Sequence, residues 1–113
     1  MLKKETVVLN KNFQFQQVYR RGQSLVSPFV VTYILPRKGG MLRYGITASK
    51  KIGTAVARNR ARRVIKAALV PLLPLVEGTY DLVFVARKAT IAAKSTKLHT
   101  VLSNQFLKAG IIK

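Results

Sequence analysis

Acidic side chains are nearly missing from this sequence: Glu5, Glu77 and Asp81 stand against 21 lysines and arginines, for a formal charge of +18 and a sequence pI near 11.4. That scarcity excludes most hydrolytic chemistry by the polypeptide itself. Metal-assisted phosphodiester cleavage needs clustered carboxylates to hold divalent ions, and metal-free cleavage needs two titrating groups. Three scattered acids and one histidine, His99, supply neither. His99 falls on a late amphipathic stretch, where it reads as a surface or half-buried residue. Cysteine is absent, which excludes disulfides and thiolate metal sites and fits a reducing cytoplasm. The chain also lacks a long uninterrupted apolar span, a secretory leader, an internal repeat and a low-complexity linker. No catalytic residue, metal ligand, protein-bound cofactor, membrane association or obligate protein partner is therefore expected.

What is present is enough for one domain. With 113 residues, 49% of them hydrophobic, the chain can bury a modest core, so residues 1–113 read as a single unit whose first nine residues form a basic, partly mobile leader. The unbalanced charge repels itself, and a phosphate backbone would relieve that repulsion. Cationic chemistry is densest from Ser49 to Lys66, SKKIGTAVARNRARRVIK. Gly53-Thr54 reads as a turn and a helix N-cap, because a threonine hydroxyl accepts the orphan N–H groups of a first turn. Projected at about 100° per residue, the helix from Ala55 places Ala57, Ala61, Val64, Ile65 and Ala68 on one buried arc. Arg58, Arg62 and Lys66 line one edge of that arc, and Asn59, Arg60 and Arg63 continue around the outside. No carboxylate lies in the stretch to pair with them. Such an unmixed face is expected to meet a polyanion.

Elsewhere the periodicities alternate. NKNFQFQQVYRR predicts a helix capped by Asn10 or Asn12 with Gly22 beyond its end. Phe15 and Tyr19, four apart, share a face, which serves either as core packing or as a platform for unstacked bases. FVVTYIL after Pro28 predicts a first strand, with Phe29, Val31, Tyr33 and Leu35 on one side. LRYGITAS after the turn at Arg37–Gly40 predicts a second strand, antiparallel to the first. Gly45 within it suggests a close approach of another backbone. Pro71 and Pro74 should stop the cationic helix near Val70. YDLVFVARK predicts an interior third strand, and Ser95 is the expected cap of a final helix running through Ala109, with Leu98, Val101, Leu102, Phe106 and Ala109 inward. The expected order is helix-strand-strand-helix-strand-helix, an α+β sandwich on a mixed sheet, with strands two and three parallel.

These residues resemble a known family. Arg43, Gly45-Ile46, Ser49-Lys50-Lys51, Gly53, Ala55-Val56, Arg58-Asn59-Arg60 and Arg62-Arg63 are similar to the signature of the protein component of bacterial ribonuclease P, and Leu9, Phe15, Val18-Tyr19, Gly22, Phe29, Asp81, Val83 and Ala86-Arg87 agree with it. The resemblance implies a ribonucleoprotein in which a catalytic RNA, carrying magnesium, removes the 5′ leader of precursor tRNA in the cytoplasm. The protein alone would be inactive. It further implies RNA binding by Lys50, Lys51, Arg58, Asn59, Arg60, Arg62, Arg63 and Lys66, and a leader cleft at Phe15, Tyr19 and Tyr33; helical projection lets Arg58, Arg62 and Lys66 edge that cleft, leaving Asn59, Arg60 and Arg63 to meet the catalytic RNA. A one-residue offset in the first strand would put Thr32 in place of Tyr33. The family's strand-helix-strand connection is left-handed, against the general rule. The rival reading is a ribosomal or other structural RNA-binding protein with no processing role. In the family the cationic helix often continues in basic residues; Leu69 to Leu75 with two prolines departs from that pattern.

Overall fold

A computed structural model describes residues 6–113. Among them are five strands and four α-helices: β1 (Thr6–Val8), α1 (Asn12–Arg21), β2 (Gln23–Val26), β3 (Val30–Pro36), β4 (Leu42–Thr47), α2 (Ala55–Leu69), β5 (Tyr80–Ala86), α3 (Lys88–Ala92) and α4 (Ser95–Ala109). Short 3₁₀ turns occupy Lys50–Ile52 and Val70–Leu75. The strands make one mixed sheet in the order β1-β4-β5-β3-β2. The expected α+β class is present, enlarged by three short elements. β1 and β2 add the two edges, and α3 follows β5. Of the leader, residues 6–8 pair in parallel with β4 and Leu9 is buried; residues 1–5 lie outside the described residues.

The sheet order corrects one expectation. The two strands flanking Arg37–Gly40 do not form a hairpin, because β5 inserts between them, antiparallel to β3 and parallel to β4. The reason lies in β5 itself. Leu82, Val83 and Phe84 are all fully buried, so this strand is apolar on both faces and takes the centre of the sheet. The loop between β3 and β4 must then step across a whole strand, about 10 Å. Gly39 and Gly40 make that step with φ of 68° and 83°, values that side chains rarely tolerate. The parallel pairing of β4 with β5 across α2 is as expected.

Most of the core lies on one side of the sheet. There Leu82, Phe84 and Ile34 meet Ala61, Ile65 and Leu69 of α2 and Leu98, Leu102 and Phe106 of α4. Thr54 caps α2, its hydroxyl accepting the Ala57 N–H at 3.2 Å. A cap of this type stabilises a helix by about 1 kcal/mol. α2 ends at Leu69, close to the expected Val70, but the chain does not leave helical space there. Val70 keeps φ −52° and ψ −44° directly before Pro71, and the backbone tightens into the 3₁₀ turn, where the missing proline N–H is no loss. Leu72 and Leu73 are buried beneath it. α4 begins at Ser95 with Lys94 in the cap position and ends at Gly110, whose φ is 76°. Its one buried polar side chain, Gln105, fastens the β2–β3 corner. Gln105 Nε2 donates to the carbonyls of Leu25 (3.0 Å) and Val30 (3.4 Å), and its Oε1 accepts the Thr32 hydroxyl at 2.5 Å.

The opposite side carries α1 alone, over a much smaller buried set of Leu9, Val18 and Val83. The α1 cap is Lys11, not Asn10 or Asn12; the Gln14 side chain accepts the Asn10 and Lys11 N–H groups instead.

Candidate nucleic-acid interface

Strand alternation decides which side chains join α1. Register places Arg43, Asp81 and Leu35 in one row across β4, β5 and β3; Gly45, Val83 and Tyr33 form the next row, and Thr47, Val85 and Val31 the third. All point toward α1. Tyr33 is therefore on this face, and Thr32 is wholly buried on the other, bonded to Gln105. Val18 seats α1 on Val83, and the flank of the helix carrying Phe15 and Tyr19 overhangs the sheet. Tyr19 meets Tyr33 edge-on, with ring centroids 5.0 Å apart and planes at 71°. Phe15 lies over Gly45. A Cβ there would sit 2.5 Å from Phe15 Cε1 and 2.6 Å from Cζ, so the close approach expected at this glycine is made by a ring, not by a backbone. The three rings are half-buried, each with one part in the small core and one part facing outward. Such amphipathic placement leaves π-faces at the surface, where unstacked bases can rest.

The α2 cations occupy another surface. The buried arc Ala61, Ile65 and Ala68 points into the main core, on the side of the sheet away from α1. Arg60 turns toward α3, its Nε donating to the Ile91 carbonyl at 2.9 Å. With Arg63, Lys94 and Ser95 it rims a groove of about 440 Å³ between α2 and the start of α4, floored by Val64 and Ala67. Arg62 and Asn59 are tied by a 2.8 Å hydrogen bond from Nη1 to Oδ1. Arg58 is half-buried, and its Nε is enclosed without a hydrogen-bond partner. A buried donor left so costs about 1–3 kcal/mol. Lys50, Lys51, Arg63 and Lys66 are exposed. Lys51 faces Arg87 and Lys88 across a cavity of about 450 Å³ beyond the ends of β4 and β5. His99 lies apart, its Nδ1 3.2 Å from the Ala68 carbonyl oxygen.

The eleven residues singled out in the sequence thus fall into two groups. Phe15, Tyr19 and Tyr33 come together on the α1 face. Asn59 and Arg62 are joined to each other, Arg60 and Arg63 share a groove, and α2 packs on the side of the sheet away from the aromatic face, so Arg58, Arg62 and Lys66 lie across the sheet from the cleft they were expected to edge. A third group was not visible in the sequence as a site. Asp81 is buried, and Arg43 grips it with two bonds, Nε to Oδ1 at 2.7 Å and Nη2 to Oδ2 at 2.6 Å, while Arg37 Nε adds a 3.5 Å ion pair. Only register, which places Arg43 beside Asp81, reveals the pairing. Hydrogen bonding to Asp81 raises the Arg43 pKa above the ordinary guanidinium value, with burial opposing and the charge of Asp81 adding a smaller push. A raised pKa stabilises the fold below it and is lost only as pH climbs through it, so Arg43 stays charged across the neutral range.

Both Asp81 oxygens are bonded to Arg43, and exposed Glu77 lies 3.7 Å from the Lys113 ammonium. No helix among the described residues is long and apolar enough to cross a membrane.

Comparison with known proteins bears on the family and the fold. The sequence matches the family Ribonuclease P over residues 2–110. It is 37% identical over 107 residues to the ribonuclease P protein component of Clostridium kluyveri, covering 93% of this chain and 96% of the relative. To the protein of that name from Clostridioides difficile it is 42% identical over 104 residues, covering 91% of each. Its fold superposes on an RNase P protein structure from Staphylococcus aureus with a TM-score of 0.80, at 26% identity, over 94% of this chain and 97% of the other. For the RNase P protein from Thermotoga maritima the TM-score is 0.67, at 25% identity, over 80% and 86%.

Proposed function

Because this chain belongs to the ribonuclease P protein family, partners the RNA of that ribonucleoprotein and serves tRNA 5′ processing, we propose that its share of the work is to hold two RNAs in register while the RNA subunit breaks the bond. The aromatic face takes the single-stranded 5′ leader of precursor tRNA. The α2 cations, with Lys50 and Lys51, take the backbone of the catalytic RNA. The observation that carries this reading is the meeting of Phe15, Tyr19 and Tyr33 on one half-open face of a sheet, with the cationic helix on the other side.

The mechanism is differential binding. Mature tRNA lacks the leader, so each base stacked on the aromatic face favours precursor over product by about 1–3 kcal/mol. The exposed cations Lys50, Lys51, Arg63 and Lys66 support the second half of the reading, since a phosphate backbone can reach them directly. Magnesium ions would sit on the RNA, where they would supply the Lewis acid and the activated water, since Asp81, the carboxylate on the α1 side of the sheet, has both oxygens bonded to Arg43. The setting is the cytoplasm, where precursor tRNA is made.

Reconstitution with a bacterial ribonuclease P RNA at low magnesium tests the proposal. Addition of the chain should restore 5′ maturation, and the chain without RNA should cleave nothing. Activity that never changes on its addition would reject the processing role, and cleavage by the protein alone would reject the division of labour.

A further inference from the structure

The flank of α1 opposite Phe15 and Tyr19 carries Gln17 and Arg21, which face the Arg43–Asp81 row of the sheet. Together with Arg37 and Lys38 they enclose a cavity of about 230 Å³. Four cations surround one carboxylate, so the pocket keeps a strong positive excess. Two of the four are fixed. Arg43 spends Nε and Nη2 on Asp81, and Arg37 spends Nε on Asp81 and Nη1 on the Met41 carbonyl at 2.8 Å. Each guanidinium has five donors, so Arg43 Nη1 and Arg37 Nη2 remain for a ligand, at positions set by a side chain that is itself 1% exposed. Arg21 and Lys38 are exposed and add mobile charge.

We propose that this pocket is a second RNA site, distinct from the aromatic face and from α2, which takes phosphodiester groups of a backbone passing along the outer flank of α1, with Asp81 as the positioning residue that sets the two arginine forks. It rests on the function proposed above. A guanidinium nitrogen already held in place meets a phosphate oxygen with little loss of freedom, whereas an unpinned arginine must be ordered by its ligand. The chemistry is that of a phosphate diester, and either the catalytic RNA or the precursor tRNA could present it. The pocket holds no aromatic ring to stack a base, so contact would be with backbone and indifferent to sequence.

The test compares wild type with Arg21→Ala/Lys38→Ala, two exposed changes that leave the ion pairs intact, in two titrations over a salt series. One measures binding of the chain to the catalytic RNA, the other binding of the assembled holoenzyme to precursor tRNA. Loss of two phosphate contacts should lessen the slope of log affinity against log salt by about 1.4 to 1.8, with unchanged thermal unfolding. The arm that changes names the RNA that occupies the pocket. Slopes unchanged in both arms overturn the site while the processing role stands; a wild type that binds neither RNA overturns both. The positioning role has its own reading. Asp81→Asn makes the pocket more positive, so attraction by charge alone predicts tighter binding, whereas loss of the fixed forks predicts weaker binding. Should that variant fail to fold, Arg37→Lys keeps the charge and removes the fork. Weaker binding supports the role, and equal or tighter binding overturns it.

Discussion

Adding one methyl group at Gly45 should separate the fold from its proposed activity. The new Cβ would stand 2.5 Å from Phe15 Cε1 and 2.6 Å from Cζ, with Leu9 Cβ at 3.3 Å. Ordinary contact needs about 3.5–4.0 Å, so the ring must retreat by about 1 Å or swing outward. Overpacking of this kind costs about 1–3 kcal/mol. Gly45 lies in a strand without positive φ, so alanine also restricts the unfolded chain and returns about 0.4–1 kcal/mol. The net loss of stability should therefore be small, between about 0 and 2.6 kcal/mol. The effect on leader binding should be larger than the stability change suggests, because the displaced ring is a stacking surface. A lost stack of about 1–3 kcal/mol is a loss of about 5- to 150-fold in precursor affinity, with mature tRNA bound as before. The assay is a double-mutant cycle on precursor binding with Gly45→Ala, Phe15→Ala and the pair. Both single changes act through one ring, so Gly45→Ala should have little further effect once Phe15 is alanine. Additive losses, or equal losses for precursor and mature tRNA, would refute the reasoning.

Three further outcomes follow from the geometry. Thr54→Ala removes the α2 cap and should lower stability by about 1 kcal/mol, seen as a fall of about 4 °C in thermal unfolding for a domain of this size. Gln105→Leu strands the Thr32 hydroxyl in the core, while the Val30 carbonyl keeps its bond from the Ser27 hydroxyl, and should cost about 1–3 kcal/mol for the buried group left unpaired; denaturant midpoints measure it, and RNA affinity per folded molecule should not change. If the whole chain neutralises about five phosphates, log affinity should fall with log salt at a slope of about −3.5 to −4.5. A slope near zero would contradict the electrostatic reading of the composition.

Local chemistry was legible in the sequence to the degree that it was local. The Thr54 cap, the apolar arc of α2 and the Gly110 terminus depend on neighbours within a turn or two, and each lies where spacing put it. The face shared by Phe15 and Tyr19 followed from i,i+4 placement, and that of Tyr33 from alternation once Thr32 was bound inside. Pairing was not legible. Nothing between Pro36 and Leu42 says that the chain skips a strand, because the skip is imposed by β5, more than 40 residues later. β2, with Gln23 and Ser24 exposed and only Leu25 buried, has too little pattern to announce a strand. The Arg43–Asp81 pair spans 38 residues and needs the parallel register of β4 and β5 to exist at all. For the same reason Asp81, read at first as one of three scattered acids, proves to be the centre of a cationic pocket.

The sheet is anchored unequally. One face is cemented by two long helices; the other is held by a single ten-residue helix whose one buried side chain, Val18, meets Leu9 and Val83. Phe15 and Tyr19 therefore ride on the layer that can loosen without unfolding the rest, while Tyr33 stays with the sheet. A strand of nucleic acid wedged between α1 and the sheet would add the contacts this layer lacks, so substrate would complete the thin side of the protein, and the grip would tighten only where a leader is present to be gripped.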